Sequence, residues 1–271
     1  MRKIILSLML LLGSTRAEAL SIEDGVNQAI VNDVERGEDK FKLPIWTHIG
    51  FVKGNDEFDP RHENYKRSTF LAHHENKSNN VHYVIVWNHG MGGFKDFGNN
   101  IYPFLKYLYD SGKSFTWISP ELPWSKYVNG IDGRTAWKKK GSFVEFYKSS
   151  LALVPQLTMS KQLVIVVAGH SRGGKSIANA AKTGDLCKVN PHWTIWSDSS
   201  YSHWLDDSWK NCLCNNASRV EVFYLKNTET QASAKRLENE HNKLVSIHQL
   251  TYPWYHGKIG KTVIMLSEAF K

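Results

Sequence analysis

Alternation of buried strands with helices is the feature that most limits how this chain can fold. Apolar, β-branched segments predict strands at residues 81–87, 114–119, 163–168, 193–197, 220–225 and 244–250. Helix-forming segments lie between them or after them, at residues 101–109, 143–157, 177–182, 232–242 and 262–270. This order is typical of an α/β protein, with a mostly parallel central sheet and helices on both faces. In such sheets, ligands bind beyond the carboxyl ends of the strands.

The N-terminal residues 1–19 have the pattern of a signal peptide. Arg2 and Lys3 precede a short apolar run at residues 4–12, and Ala-Glu-Ala at residues 17–19 is a cleavage-site pattern. The run is too short to span a bilayer. We therefore expect export, to a periplasm or to the medium.

The remaining residues 20–271 fit a single domain, in which residues 20–80 form an N-terminal extension and the first strands, at 44–52 and 67–72.

The charge balance is mildly basic. The whole chain has a formal net charge of +8, and the signal peptide holds three basic residues and one acidic residue, which leaves +6. A small excess of this kind permits peripheral contact with an anionic envelope surface. We find no nucleic-acid-binding motif and therefore expect no nucleic-acid partner. We expect a monomer.

The cysteine and histidine patterns give no reason to expect a metal. In an exported protein, Cys187 could pair with either Cys212 or Cys214. These three cysteines lack the four convincing ligands of a zinc site. The His-His-Glu segment at residues 73–75 precedes the polar loop 76–80 and is interpreted as a solvated turn. We expect no metal and no cofactor.

Residues 169–176, Gly-His-Ser-Arg-Gly-Gly-Lys-Ser, match two catalytic motifs at once. Read as G-x-S-x-G, the segment is a nucleophile elbow with Ser171 at its tip. Read as G-x-x-x-x-G-K-[ST], it is a phosphate-binding loop that ends in Lys175 and Ser176. A phosphate-binding loop normally follows the first strand of its domain, whereas at least two strand–helix units precede this segment. Position and export therefore favour the elbow over the nucleotide-binding alternative.

Two other segments supply what a serine nucleophile needs. The sequence His-Gly-Met-Gly-Gly at residues 89–93 follows a predicted strand, and we expect the N–H groups of Met91 and Arg172 to form an oxyanion hole. His256 lies after the last predicted strand, where an imidazole could reach Ser171 as the general base. His241 and His248 lie inside a predicted helix and a predicted strand and are interpreted as structural.

The acid that would orient His256 has two candidates. Glu229 follows the strand at residues 220–225, the usual place for such an acid, but could also be a carboxylate at a helix N-terminus. Asp198 follows the strand one step earlier, but could belong to a turn-forming Asp-Ser-Ser segment. The sequence favours Asp198 slightly and leaves Glu229 open.

The order Ser171, acid, His256, together with the elbow and the upstream glycine loop, resembles the α/β-hydrolase superfamily over residues 81–271. The resemblance implies an α/β-hydrolase-like fold, a nucleophilic serine, a catalytic dyad or triad and no required cofactor. It implies no substrate.

Aromatic residues cluster in segments that should reach the same edge of the sheet as Ser171. We expect Trp124, Trp204 and Trp254 to contact the substrate. The predicted function is an exported serine hydrolase that cleaves an ester, or alternatively an amide, in a small molecule or a cell-envelope component. The alternative from another class is a non-catalytic protein on the same fold that binds an envelope polymer.

Overall fold

The computed structural model describes residues 43–54, 68–90, 97–120, 136–155, 161–213, 218–226, 228–241, 243–251 and 265–271, together with His256, Ile259 and Val263. The predicted signal peptide and the residues Met91, Trp124, Cys214 and Trp254 lie outside the described residues. Within the described ranges, no helix is long and apolar enough to cross a bilayer.

Eight described strands form one sheet. They are β1 (Trp46–Phe51), β2 (Ser68–His74), β3 (Val81–Asn88), β4 (Ser114–Pro120), β5 (Gln162–His170), β6 (Trp193–Ser197), β7 (Arg219–Leu225) and β8 (Val245–Leu250). Their order across the sheet is β1-β2-β4-β3-β5-β6-β7-β8. The pairs β1–β2 and β2–β4 are antiparallel, and every pair from β4 to β8 is parallel. The predicted mostly parallel sheet is confirmed.

Helices follow the strands along the chain. They are α1 (Phe97–Asp110), α2 (Ser142–Leu153), α3 (Gly173–Lys182), α4 (Asp185–Val189), α5 (Trp204–Ser208) and α6 (Glu229–His241). A π-helical turn at Trp209–Leu213 continues α5, and a 3-10 turn at Glu268–Phe270 lies near the C-terminus. Because neighbouring strands from β4 to β8 are parallel, the segments that contain these helices return the chain across a face of the sheet.

Side chains of β3 divide the core between the two faces of the sheet. Val84 and Val86 belong to one buried cluster, which includes Ile177 of α3, whereas Ile85 and Trp87 belong to a second cluster. The second cluster includes side chains of α1. Since neighbouring residues of a strand point to opposite faces, helices cover both sides of the sheet.

The register of three neighbouring strands determines where the functional residues meet. Asn88 at the end of β3 pairs with Gly169 of β5, and His170 at the end of β5 pairs with Ser197 of β6. The residues that follow these strand ends therefore emerge side by side at the carboxyl edge of the sheet.

The expected solvated turn at residues 73–75 is wrong for its first two residues. His73 and His74 end β2, and His73 is buried. Its Nδ1 lies 3.0 Å from Thr116 Oγ1, and His82 Nε2 lies 2.8 Å from the same oxygen. The two imidazoles thus satisfy a buried hydroxyl between β2, β3 and β4, and pairing with β4 overrides the local turn signal.

One of the two open cysteine pairings is present. Cys187 of α4 and Cys212 of the π-helical turn form a disulfide, with Cα atoms 5.3 Å apart and a sequence separation of 25. The bond joins the helix after α3 to the segment that continues α5.

Candidate active site

Ser171 lies at the tip of a tight turn between β5 and α3. Only Ser171 and Arg172 separate the strand from the helix, and Ser171 has a φ angle of +51°. A serine rarely adopts this left-handed conformation, which costs about 1–3 kcal/mol unless the surrounding structure imposes it. The Ser171 N–H donates to the oxygen of Ser197, 3.2 Å away. A strained strand-to-helix turn of this kind is the geometry of a nucleophile elbow.

Two glycines make room for the turn. A Cβ atom added at Gly90 would lie 2.9 Å from Cβ of Ser171, so Gly90, which follows β3, lies close to the serine. A Cβ atom added at Gly173 would collide with the main-chain oxygen of Asn88. The absence of side chains at both positions lets the start of α3 pack directly against the ends of the neighbouring strands.

The turn does not have the form of a phosphate-binding loop. In that alternative the chain from Gly169 to Gly174 would form the loop, but Gly169 lies in β5 and Gly174 lies in α3. Ser176, which would bind the metal, is buried and its hydroxyl accepts the N–H of Ala136 at 3.3 Å. The geometry supports the elbow interpretation of residues 169–176.

Asp198 directly follows β6 and is buried. Its φ angle is +42°, and its N–H donates to the oxygen of Phe223 at 2.7 Å. The hydroxyl of Thr230 donates to one carboxylate oxygen, Oδ1, at 2.6 Å. The main chain and one oxygen of Asp198 are thus both held in place.

The second carboxylate oxygen of Asp198 lies 2.6 Å from Nδ1 of His256. Burial alone would raise the pKa of Asp198, but the hydrogen bonds from His256 and Thr230 outweigh it and lower the pKa below its ordinary value. The carboxyl group is therefore ionised at neutral pH. An ionised acceptor places the imidazole proton on Nδ1 and leaves Nε2 available to accept a proton.

Glu229, the other candidate acid, has a different neighbour. It is the first residue of α6, and its Oε1 accepts the N–H of Ser202 at 2.9 Å. The described contacts include no hydrogen bond between Glu229 and His256. The structure therefore brings Asp198, and not Glu229, to the imidazole.

His170 is a neighbour of His256 that the sequence did not indicate. Its Nε2 lies 2.8 Å from the main-chain oxygen of His256, and the centroids of the two rings are 4.7 Å apart. Burial, assisted by the neighbouring His256, lowers the pKa of His170 to about 4. Nothing local marks this role, because its partner lies 86 residues away in sequence.

Aromatic rings line one side of His256. The hydroxyl oxygen of Tyr201 lies 3.4 Å from His256 Nδ1, and the Tyr201 and Trp204 rings meet edge to face at 5.6 Å. Burial and the charges of Asp198 and Glu229 raise the pKa of Tyr201, so the phenol is neutral. The ammonium group of Lys175 lies 5.9 Å from the centre of the Trp204 ring. Trp204 thus contacts Tyr201, which in turn lies against the imidazole of His256.

The other predicted site residues are only partly described. Arg172 follows Ser171 at the N-terminus of α3, as an oxyanion-hole donor requires. Met91, Trp124 and Trp254 lie outside the described residues. In the ranges that the structure covers, no three His, Cys, Asp or Glu side chains are grouped in a way that could bind a metal ion.

Comparison with known proteins identifies the fold. No family model and no curated protein sequence matches the chain. Among solved structures, an enterochelin esterase from Shigella flexneri matches with a TM-score of 0.54 and 12% identity, over 84% of this chain and 58% of that chain. A CIB-like hydrolase from Thermoplasma acidophilum matches with a TM-score of 0.50 and 16% identity, over 82% and 96% of the two chains. With its strand order and the strand–turn–helix at Ser171, the chain has the α/β-hydrolase fold.

Proposed function

We propose that this protein is a serine hydrolase that works through an acyl-enzyme on Ser171. One observation carries the proposal: Ser171 lies in a strained turn at the sheet edge where Asp198 and His256 are joined by a 2.6 Å hydrogen bond. A nucleophile, a base and an orienting acid on one edge of the sheet are the parts that acyl transfer needs.

In the proposed reaction, Ser171 Oγ attacks the substrate carbonyl while His256 Nε2 takes the hydroxyl proton. Asp198 holds the imidazole in the required tautomer and stabilises the imidazolium that forms. The imidazolium then protonates the leaving group, and water hydrolyses the acyl-enzyme by the same steps. Among the described contacts, no hydrogen bond joins Ser171 Oγ to His256, and such contacts commonly tighten only when substrate is bound.

The oxyanion of the tetrahedral intermediate is proposed to bind the N–H groups of Arg172 and Met91. The close approach of Gly90 to Cβ of Ser171 supports this arrangement, because Met91 follows Gly90 directly in the sequence. An ester is the proposed substrate class, with an amide as the alternative. The similar structures are described as an esterase and a hydrolase, which is consistent with this choice. Trp204 is proposed to contact the substrate together with Trp124 and Trp254.

We also propose that the protein is exported. The signal-peptide pattern at residues 1–19 is the main reason. The Cys187–Cys212 disulfide supports the proposal, because such bonds persist in oxidising compartments. Determination of the N-terminal residue of the protein recovered from the periplasm or medium tests it, and an N-terminus that begins at Met1 would contradict it.

Covalent labelling by a fluorophosphonate probe tests the catalytic proposal. We expect the wild-type protein to be labelled on Ser171 and the Ser171→Ala variant not to be labelled, at unchanged thermal stability. Ser202→Ala is a matched control, since Ser202 is an exposed serine that also has a positive φ angle, +52°. Labelling should survive in that variant. An unreactive wild-type protein would contradict the proposal and favour the non-catalytic binding alternative.

A further inference from the structure

His170 makes a contact that ties the position of His256 to the strand that carries the nucleophile. It is the last residue of β5, and Ser171 follows it directly. Its Nε2 lies 2.8 Å from the main-chain oxygen of His256. The contact therefore joins the peptide of the proposed base to the residue next to the proposed nucleophile.

His256 is thus held at two points, one on its ring and one on its main chain. Asp198 Oδ2 binds the ring at Nδ1, 2.6 Å away, and His170 binds the main chain of the same residue. One bond alone would allow the ring to pivot about the carboxylate. Both together restrict where Nε2 can lie relative to Ser171, whose main chain is itself fixed by the N–H bond to Ser197.

His170 has the charge state that this position requires. Burial lowers its pKa to about 4, so the ring is neutral at neutral pH. A neutral imidazole with its proton on Nε2 can donate to a carbonyl oxygen. A cation at the same place would repel the imidazolium that forms on His256, since the two ring centroids are 4.7 Å apart.

We propose that His170 is a positioning residue for His256, whose main-chain carbonyl it holds through an Nε2–H hydrogen bond. This inference rests on the proposed function of Ser171 and His256. His170 acts on the chemical step and not on substrate binding, because it fixes a proton acceptor. A displacement of about 1 Å in such a group can cost on the order of 10²-fold in rate.

A matched pair of amide variants separates this role from a general structural role. In His170→Gln, the side-chain nitrogen can reach the place of Nε2, whereas in His170→Asn it reaches only the place of Nδ1. The two variants share their polar chemistry and differ in reach. With a fluorophosphonate probe, we expect the asparagine variant to lose about 10- to 100-fold in the maximal inactivation rate, at unchanged probe affinity. The glutamine variant should recover most of that rate.

Each outcome tests a separate claim. If wild-type Ser171 is labelled but both amide variants react at the wild-type rate, or both lose rate equally, the role of His170 is refuted while the proposed function stands. If the wild type itself is not labelled, the proposed function fails first. Nitrogen NMR of wild-type His170 gives a test that needs no variant. A proton on Nε2 supports the proposal, and a proton on Nδ1 with a bare Nε2 overturns it.

Discussion

Two residues of the candidate site share a backbone conformation that few side chains adopt. Ser171 and Asp198 both have positive φ angles, +51° and +42°, and both lie immediately after the ends of adjacent strands. Hydrogen bonds from their N–H groups to Ser197 and Phe223 hold these turns against the cost of the conformation. At each turn the chain changes direction directly after the strand. The side chain therefore projects from the carboxyl edge of the sheet.

Replacement of each candidate acid should separate their roles. We expect Asp198→Asn to reduce the acylation rate by roughly 10³- to 10⁴-fold, because an amide no longer imposes the Nδ1–H tautomer. Glu229→Gln should reduce it by less than about tenfold, since Glu229 bonds to the N–H of Ser202 and an amide oxygen can still accept that bond. The rate at which the fluorophosphonate probe inactivates each variant measures both effects. A larger loss in Glu229→Gln would contradict the geometry described above.

The sequence indicates candidate site residues but not the contacts between them. Motif and chain order singled out Ser171 and His256, and the structure places Nε2 of His170, the residue before Ser171, 2.8 Å from the main-chain oxygen of His256. Asp198 and Glu229 could not be separated, because both follow parallel strands at one edge. The choice depends on side-chain direction, which the left-handed turn at Asp198 and the bond from Thr230 determine. Such bonds join residues more than thirty positions apart and leave no local pattern.

At the scale of elements, strands were predicted more closely than helices. The bounds of β6 agree with the prediction, and the other parallel strands differ by one or two residues, because buried strands are continuous apolar runs. Helix α3 begins at Gly173, four residues before the predicted start, since close packing on β3 overrides the poor helix propensity of two glycines. The π-helical turn at Trp209–Leu213 was not predicted. The predicted final helix at residues 262–270 is interrupted at Ser267. The backbone of Ser267 is extended, and its hydroxyl caps the 3-10 turn by accepting the N–H of Ala269.

The start of α3 should be intolerant of even one methyl group. In Gly173→Ala the new Cβ would overlap the main-chain oxygen of Asn88, so helix and strand must move apart. We expect a loss of about 1–3 kcal/mol in the free energy of unfolding, measured by urea titration, together with slower labelling of Ser171. Lys182→Ala, at the exposed end of the same helix, is the control and should change stability by less than about 0.5 kcal/mol. Equal stability of both variants would show that the packing of Gly173 against the main chain of Asn88 is not tight.

At the scale of the molecule, the sheet has different polar groups at its two ends. The candidate site occupies the carboxyl ends of the parallel strands. Near the opposite ends, His73 and His82 share the hydroxyl of Thr116 in a buried cluster. Burial lowers the pKa of both imidazoles, that of His82 to about 4, so both are neutral in the folded protein. Protonation of either imidazole would therefore place a positive charge in a buried environment, at a cost in stability.

This cluster should make stability depend on pH. The pKa of His82 is about 4 in the folded chain against 6.5 for an exposed histidine, so between these values the unfolded chain binds more protons. The free energy of unfolding should consequently fall as the pH drops from 6.5 to 4. For His82 alone we expect a loss of about 2–3 kcal/mol between pH 7.5 and pH 4.5, measured by urea unfolding.

Substitution of His82 isolates this contribution. His82→Gln keeps an amide for the Thr116 hydroxyl but cannot be protonated, so its pH dependence should be flatter than that of the wild type. His203→Gln replaces a largely exposed histidine and serves as the control. If the two variants lose stability with the same slope as the wild type, His82 does not contribute to the acid sensitivity.

The strand order has a consequence for how the protein is made. β5, which leads to Ser171, lies in the middle of the sheet, whereas His256 follows β8, the last of the described strands along the chain. Under the proposed mechanism, a nascent chain that already displays the serine still lacks its base. Hydrolytic competence would then appear in a single late step, after the whole sheet has closed, and a chain interrupted before β8 would be inert.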